Sequence, residues 1–495
     1  MKSKIYKIAT SALVFVIISL NSCKNLTDGY STDPVKITDP SVISISKYLS
    51  GIEMSLIAVY EGDLGFYAGI WSNYFSGDDR QFVGFANYIL SADYMDSAWR
   101  TIYNNILKNH LILEEKAKTE SNFRALAISQ VTLALAMGLA ADLWGDVPYT
   151  EAGKYPAALN PKFDSQSSIY AAVQTLLDEA IANLNRNIGT AAGDFFLNGN
   201  KAHWINVIHS AKARYYLHTK DYQNAIAHGL SGIAKADENL MAPHGNIVDK
   251  NYNTYYSFLA QGQRVGYMLA NCYAPALLDP AKTATYRGNR KTDESARLWW
   301  YYAPGGLSNR SAAYEPNYSC PEYKDSNQYS GFFGSRASFP LVTFEETKLI
   351  LAEAYMKQSA PDPDKALSQL NLLRQYYNTG APFKSNAFLK KSLKYDDYTL
   401  ADFAPVGGIA NTKGEAQNTA LLREILEERY VSLIGQIEGW TDMRRTKNFL
   451  GLPLAPGKTD FPKRMIYPQI EVNTNTNTPQ GVGLFTDVPS FVAPY

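Results

Sequence analysis

Along most of this chain, apolar and small residues recur at the three-to-four-residue spacing of helix faces, and one long central stretch breaks that rhythm. Ile169, Val173, Leu176, Leu177, Ala180 and Leu184 share one face, with Asp164 or Ser165 placed to cap the helix start. Trp204, Ile208, Ala211 and Tyr215 predict the next helix, and Ala225, Ile226, Gly229 and Ile233 its partner. Further helices are predicted over Thr343–Lys357, Asp364–Tyr377 and Thr419–Ile434. Ala125 to Ala141 is rich in Ala and Leu with no Pro, which reads as a buried helix. Gly145 and Pro148 stop it, and Trp144, Val147 and Tyr149 put so much aromatic and apolar surface into the turn that it should pack as a corner. Asp142 and Asp146 stand ready to bond the exposed N–H groups of that corner.

Three pairs of alanines stand twelve residues apart across predicted turns: Ala140 and Ala152, Ala213 and Ala225, Ala354 and Ala366. Small residues at matched places let antiparallel helices approach closely, and that spacing occurs in tetratricopeptide-type hairpins. From about Asn239 to Pro340 the faces disappear into Gly, Pro, Asn and Tyr, with one predicted strand at Ala296–Tyr302. The expected fold is therefore all-α: tetratricopeptide-like hairpins with a long, irregular, aromatic-rich insertion carrying minor strand. Loops of that length inside a domain are usually functional.

The N-terminus has a different logic. Lys2, Lys4 and Lys7 precede Ala12–Leu20, an apolar run too short for a permanent membrane helix, so residues 1–22 read as a secretory signal. It ends in Leu20-Asn-Ser-Cys23, a bacterial lipobox in which the cysteine is acylated and becomes the first mature residue. Burial of an acyl chain is worth ~0.8 kcal/mol per CH₂, so two or three chains on Cys23 would anchor the protein durably. Residues 23–40, polar with two Asp-Pro pairs, read as a tether, and residues 41–495 as the helical domain.

Charge changes the picture by exclusion. Lys+Arg and Asp+Glu are balanced at 47 each among 495 residues, so a nucleic-acid partner, which calls for a basic excess, is set aside. Three cysteines, Cys23, Cys272 and Cys320, are too few for a disulfide scaffold; the last two either pair or stay as buried thiols. His203, His209, His218 and His228 form no metal-ligand spacing, and no phosphate loop, nucleophile elbow or cofactor signature is present. Tyr is the outlier at 35 residues, a type suited to polar binding surfaces.

Two stretches carry candidate binding chemistry. Aromatic faces stack on the C–H faces of a ligand, while amides, carboxylates and guanidinium groups bond its polar rim. In the loop Trp71–Tyr88, the residues Trp71, Tyr74, Asp79, Arg80, Gln81 and Tyr88 supply both kinds. Trp71 and Phe75, four apart, equally fit a helix core. The second stretch, Trp299 to Phe333, holds ten aromatic residues in 35, and Tyr314, Tyr318 and Tyr329 lie in its loops. Those tyrosines suit a ligand or a protein partner alike. Glu424, Glu427, Glu428 and Arg429 read as solvated ion pairs on a helix. Asp442, Arg444 and Arg445 read as braces for the last helices.

Several motifs together resemble a known family. The lipobox, Asp142-Leu-Trp-Gly-Asp-Val-Pro-Tyr149, Tyr216-Leu-His-Thr-Lys-Asp-Tyr222, Leu349-Ile-Leu-Ala-Glu-Ala354, Glu424-Ile-Leu-Glu-Glu-Arg-Tyr430, Glu438-Gly-Trp-Thr-Asp-Met-Arg-Arg-Thr446 and Arg464-Met-Ile-Tyr-Pro-Gln469 occur in the order seen in SusD/RagB outer-membrane lipoproteins of Bacteroidota. The likeness is nearest to the SusD-like type 2 branch and spans nearly the whole mature chain. The resemblance implies a helical, lipid-anchored, non-enzymatic protein at the cell surface. It would capture a glycan or other large nutrient on regions such as the two above and deliver it to a SusC-like TonB-dependent transporter. Two readings stand beside it, a lipid-anchored glycoside hydrolase and a peptide-binding member of the same family, and a third is a helical adaptor with no small ligand.

Overall fold

The computed structural model describes residues 42–495, apart from 155, 246, 248–249, 261–262, 308–311, 320–330, 384–390 and 492–494. Residues 45–495 form one compact unit. The signal segment, Cys23 and the tether lie outside the described residues, as do Tyr329 and Cys320.

The helical frame begins with α1 (Ile45–Glu61), α2 (Asp63–Trp71) and α3 (Lys108–Thr119). Its centre is α4 (Phe123–Trp144), buried continuously from Ala125 to Trp144. α4 is long and apolar enough to cross a membrane, but its whole apolar window is enclosed by protein, so it is a core helix. Asn122 caps its start through the Ala125 N–H, and Gly145, at φ +77°, ends it. Gly138 is required within α4: a Cβ there would fall 2.2 Å from Cζ of Tyr215 on a neighbouring helix.

The corner after α4 packs as expected. Trp144 is fully buried with its indole N–H on the Ile466 carbonyl at 2.8 Å. Asp146 accepts from the Gln166 N–H at 2.9 Å, whereas Asp142 accepts from side chains, the Tyr170 hydroxyl at 2.6 Å and His218 Nδ1 at 2.8 Å. Ala152, however, does not open the partner helix. A short antiparallel pairing of Val147–Pro148 with Phe163–Asp164 intervenes, and α5 starts only at Gln166 (Gln166–Asn185). Its predicted face is buried from Ile169 to Leu184, and Ser165 accepts from the Ser168 N–H as its cap.

The other two alanine pairs do join helices. Ala213 and Ala225 bring α6 (Lys201–His218) against α7 (Tyr222–Leu230), and Ala354 lies in α9 (Phe344–Lys357) with Ala366 in α10 (Pro363–Asn378). Ala213, Leu217, Ala225, Ile350 and Ala354 form one buried cluster, so the small residues seat successive hairpins on each other.

The insertion is closed at its base, because Leu240–Ala242 pairs antiparallel with Phe339–Val342. The strand expected over 296–302 is instead a helix, α8 (Ser295–Tyr301), followed by Tyr302–Pro304 paired with Tyr314–Pro316. Tertiary burial outweighs β-propensity here: Ala296, Arg297, Leu298 and Tyr301 are all buried, and Arg297 reaches Glu428 at 2.6 Å.

That contact belongs to a charge cluster that corrects the solvated reading of Glu424, Glu428 and Arg429, which lie on α11 (Gln417–Ser432). Glu428 and Arg429 are fully buried and Glu424 nearly so. Arg287 bonds Glu424 at 2.8 Å, Glu428 at 2.9 Å and Glu427 at 3.2 Å, and also Glu294. Nearby, Arg429 bonds Asp442 at 2.5 Å and Arg445 grips Glu353, which ties α12 (Glu438–Arg445) to the frame as a brace.

Candidate ligand-binding clefts

The loop after α2 does not stay a free loop. Ser76–Gly77 pairs antiparallel with Met268–Leu269 of the insertion, and the Asp78 N–H donates to the Tyr267 carbonyl at 2.9 Å. The two candidate stretches are thus one assembly. The Leu269 end continues into the insertion's own pairing, since the Ala270 N–H donates to the Tyr314 carbonyl at 3.1 Å.

The aromatics of that loop form its foundation. Trp71 is 1 % exposed, bonded by its indole N–H to the Phe85 carbonyl at 2.9 Å and edge-on to Trp440. Tyr74 is fully buried, its hydroxyl on the Tyr430 carbonyl at 2.7 Å. Tyr88 is buried and its hydroxyl accepts from the Ala455 N–H at 2.9 Å. In the insertion, Tyr314 is buried with its hydroxyl on Asp279, and burial followed by that carboxylate raises its pKa. These four are corrected from ligand contacts to core: each ring is enclosed and each polar tip has a protein partner. Tyr318 is half-buried beside Glu315, with its hydroxyl 3.4 Å from the carboxylate.

What the loop presents outward is Asp79, Arg80 and Gln81. Arg80 lies 5.4 Å over the Tyr267 ring, and Asp79 accepts from the Arg80 N–H at 2.8 Å. Gln81 starts the short helix Gln81–Ala86, whose Phe82 and Phe85 face a cleft of about 440 Å³. Tyr67, Tyr94, Phe258, Asp63 and Arg264 complete its main lining. Burial raises the Asp63 carboxyl pKa and the Arg264 charge opposes the rise. Arg264, Tyr267 and Tyr94 were not singled out in the sequence; no local pattern marks Arg264 and Tyr267, which precede the strand paired with the loop, or Tyr94, which lies in the short helix Ala92–Met95.

The cleft combines aromatic walls, the exposed Gln81 amide, the Arg264 guanidinium and the Asp63 carboxylate, with exposed Asp79 and Arg80 immediately before Gln81 in the chain, a set suited to stacking on and hydrogen-bonding a ligand. Asp63 is the one carboxylate among the described residues that line it. The carboxylates Glu294, Glu424 and Glu428 are engaged by Arg287 and Arg297 away from it. Among the described residues no group of three or more His, Cys, Asp or Glu is placed to hold a metal ion. His209 and His228 face each other with Nδ1 atoms 2.9 Å apart, as a pair only.

The family model described as "Starch-binding associating with outer membrane" matches residues 39–468. The chain belongs to the SusD-like_2 family. As a SusD-like_2 protein it is a non-catalytic binding protein associated with the outer membrane. Its fold is similar to that of a SusD/RagB family protein from Bacteroides thetaiotaomicron, with 19 % identity and TM-score 0.62 over 88 % of this chain and 95 % of the other. A SusD homologue from Bacteroides fragilis gives 19 % identity and TM-score 0.63 over 91 % and 99 % of the two chains. A chitin-binding protein gives 19 % and 0.58 over 87 % and 94 %. No curated protein matches the chain significantly.

Proposed function

We propose that this SusD-like_2 protein is a lipoprotein, acylated at Cys23, that captures a glycan at the cell surface and passes it to a SusC-like TonB-dependent transporter. One observation carries the reading of the site: strand pairing of 76–77 with 268–269 sets exposed Arg80 and Gln81 beside Tyr267, Arg264 and an aromatic cleft of about 440 Å³. Aromatic walls take the C–H faces of sugar rings, and Asp79, Arg80, Gln81 and Arg264 take the hydroxyls. Tyr318 and Tyr329 are further contacts, to the glycan or to the transporter. The similar chitin-binding protein and the family's starch-binding description both favour polysaccharide over peptide as cargo.

Calorimetric titration of the wild type and of R80A/Q81A with maltoheptaose, chitohexaose and a mixed peptide digest tests this. At least one oligosaccharide should bind the wild type, and the double variant should bind it at least about tenfold more weakly, the equivalent of about 1.4 kcal/mol. Binding of peptides alone, or equal binding by the variant, would overturn the site. Affinity capture of the wild type from outer membranes should bring down a TonB-dependent transporter.

A further inference from the structure

A second cleft, of about 370 Å³, opens between α8, the C-terminal end of α10 and the base of the insertion. It is lined by Trp300, Tyr301, Phe332, Tyr376, Tyr377 and Phe383. Its separation from the first cleft is a wall of rings: Phe332 packs on Phe333 at 4.9 Å, Phe333 on Tyr255 at 5.0 Å, and Tyr255 on Phe66 of the first cleft at 4.9 Å.

The polar tips around this cleft are what set it apart from ordinary core. Gln436 lines it and is 4 % exposed, yet its side-chain amide has no hydrogen-bond partner among the described residues. The amide borders the open space of the cleft, where water or a ligand can bond it. The indole N–H of half-buried Trp300 and the hydroxyl of half-buried Tyr376 are likewise without partners among the described residues, and both line the same space. Three polar groups, offering both donors and acceptors, therefore border one aromatic box.

Its charge is balanced. The Arg297 guanidinium is consumed by Glu428 at 2.6 Å and Glu294 at 3.4 Å. The remaining lining charges are one cation, the exposed Arg336, and one carboxylate, Glu345, whose pKa is raised by burial. An acidic or basic ligand gains no net attraction there, whereas a neutral ring with a hydroxyl rim matches flat aromatic faces and scattered donors and acceptors. The volume lies at the small end of ligand pockets, which run about 300–1,000 Å³. That suits one or two rings rather than a chain.

We propose that this cleft is a second binding pocket, independent of the first, for a neutral mono- or disaccharide unit held between Trp300 and Tyr376 and hydrogen-bonded by Gln436. The proposal rests on the reading of the protein as a glycan binder, but on different residues. Full-length protein would be titrated with maltose, cellobiose and N,N′-diacetylchitobiose, following tryptophan fluorescence and saturation-transfer NMR. R80A/Q81A, with the first cleft disabled, should still bind at least one disaccharide. Trp300→Ala should weaken that binding at least tenfold, and Gln436→Ala at least threefold, with unchanged melting profiles. Tyr376→Phe, which keeps the ring, should weaken it about threefold and replaces the other variants if either fails to fold. No disaccharide binding to R80A/Q81A would overturn the second pocket while leaving the first intact. So would equal binding by all three second-cleft variants. Retained binding in R80A/Q81A that is lost in Trp300→Ala would instead support the second pocket even if the first reading fails.

Discussion

Replacing Arg287 by Met tests whether the buried charge cluster is a structural clamp. The Arg287 side chain is 1 % exposed and bonds four carboxylates: Glu294, Glu424 at 2.8 Å, Glu428 at 2.9 Å and Glu427 at 3.2 Å. Met fills the volume of the aliphatic stem but leaves Glu294, Glu424 and Glu428 buried with one cation fewer. Removing one partner of a buried ion pair costs about 3–5 kcal/mol, because the other partner stays desolvated. The loss should also depend on pH. In the wild type, burial raises Glu424 to about 7 even against the pull of Arg287. Burial also opposes ionisation of Glu428, but Arg297 and Arg287 outweigh it and hold that carboxyl at about 2. Without Arg287 both values rise, and Glu428 moves towards or above the unfolded value of about 4.3. A carboxyl whose folded pKa is raised binds its proton more tightly in the native state. Stability is then greatest below the unfolded pKa and is lost as pH rises through the folded one. The variant should therefore recover on acidification more than the wild type does, by up to about 1.4 kcal/mol per pH unit for each raised group. Urea denaturation at pH 8, 6.5 and 5 reads this directly. The expected deficit is about 3–5 kcal/mol at pH 8, and at least about 1 kcal/mol smaller at pH 5. A deficit under about 1 kcal/mol, within the range of an exposed pair, or one that grows on acidification, would refute the clamp.

Two further outcomes separate core from site. Tyr74→Phe deletes a hydroxyl that donates to the Tyr430 carbonyl at 2.7 Å in a fully buried setting, so it should lower stability by about 1–3 kcal/mol in urea denaturation and leave oligosaccharide affinity unchanged. His110 is buried against Ser129, and burial lowers its pKa to about 4, opposed by Glu114. The unfolded chain then binds the proton first, so native stability is full above about 6.5 and falls as pH drops towards 4, by up to about 1.4 kcal/mol per unit; in His110→Gln that part of the acid slope should vanish in the same assay.

The helix faces were legible because amphipathic spacing is a local property. The α5 face from Ile169 to Leu184 and its Ser165 cap follow from twenty consecutive residues and nothing else. The burial of Glu424 and Glu428 was not legible, because what neutralises them is Arg287, 137 and 141 positions away. The α8 segment was misread for a related reason. Trp299–Tyr302 has strand-favouring composition, but Arg297 and Tyr301 sit four apart, and their burial against α11 selects the helix. The family resemblance came from motifs at just such buried places, Asp142–Tyr149, Glu424–Tyr430 and Glu438–Thr446, so the most readable segments in this chain are those that hold the frame rather than those that face a ligand.

The burial of Trp71, Tyr74 and Tyr88 gives the candidate loop its stiffness. Three non-glycine residues in it, Asn73, Arg80 and Tyr88, have φ of 60°, 48° and 62°. A left-handed conformation costs about 1–2 kcal/mol for such a residue, so something must hold each of them there. Asn73 donates from Nδ2 to the Pro453 carbonyl at 2.8 Å, and Tyr88 accepts from the Ala455 N–H at 2.9 Å, which fastens both ends of the loop to one neighbouring segment. Between these fixed ends, the pairing with Met268–Leu269 sets Asp78, and the Tyr267 ring receives Arg80. The backbone cost at Arg80 is thus offset by contacts elsewhere, and the position from which its exposed guanidinium projects is fixed. On the proposed function, a ligand meeting Arg80 would gain its hydrogen bonds without first ordering the loop, which is how over-determined backbone raises affinity at a binding surface.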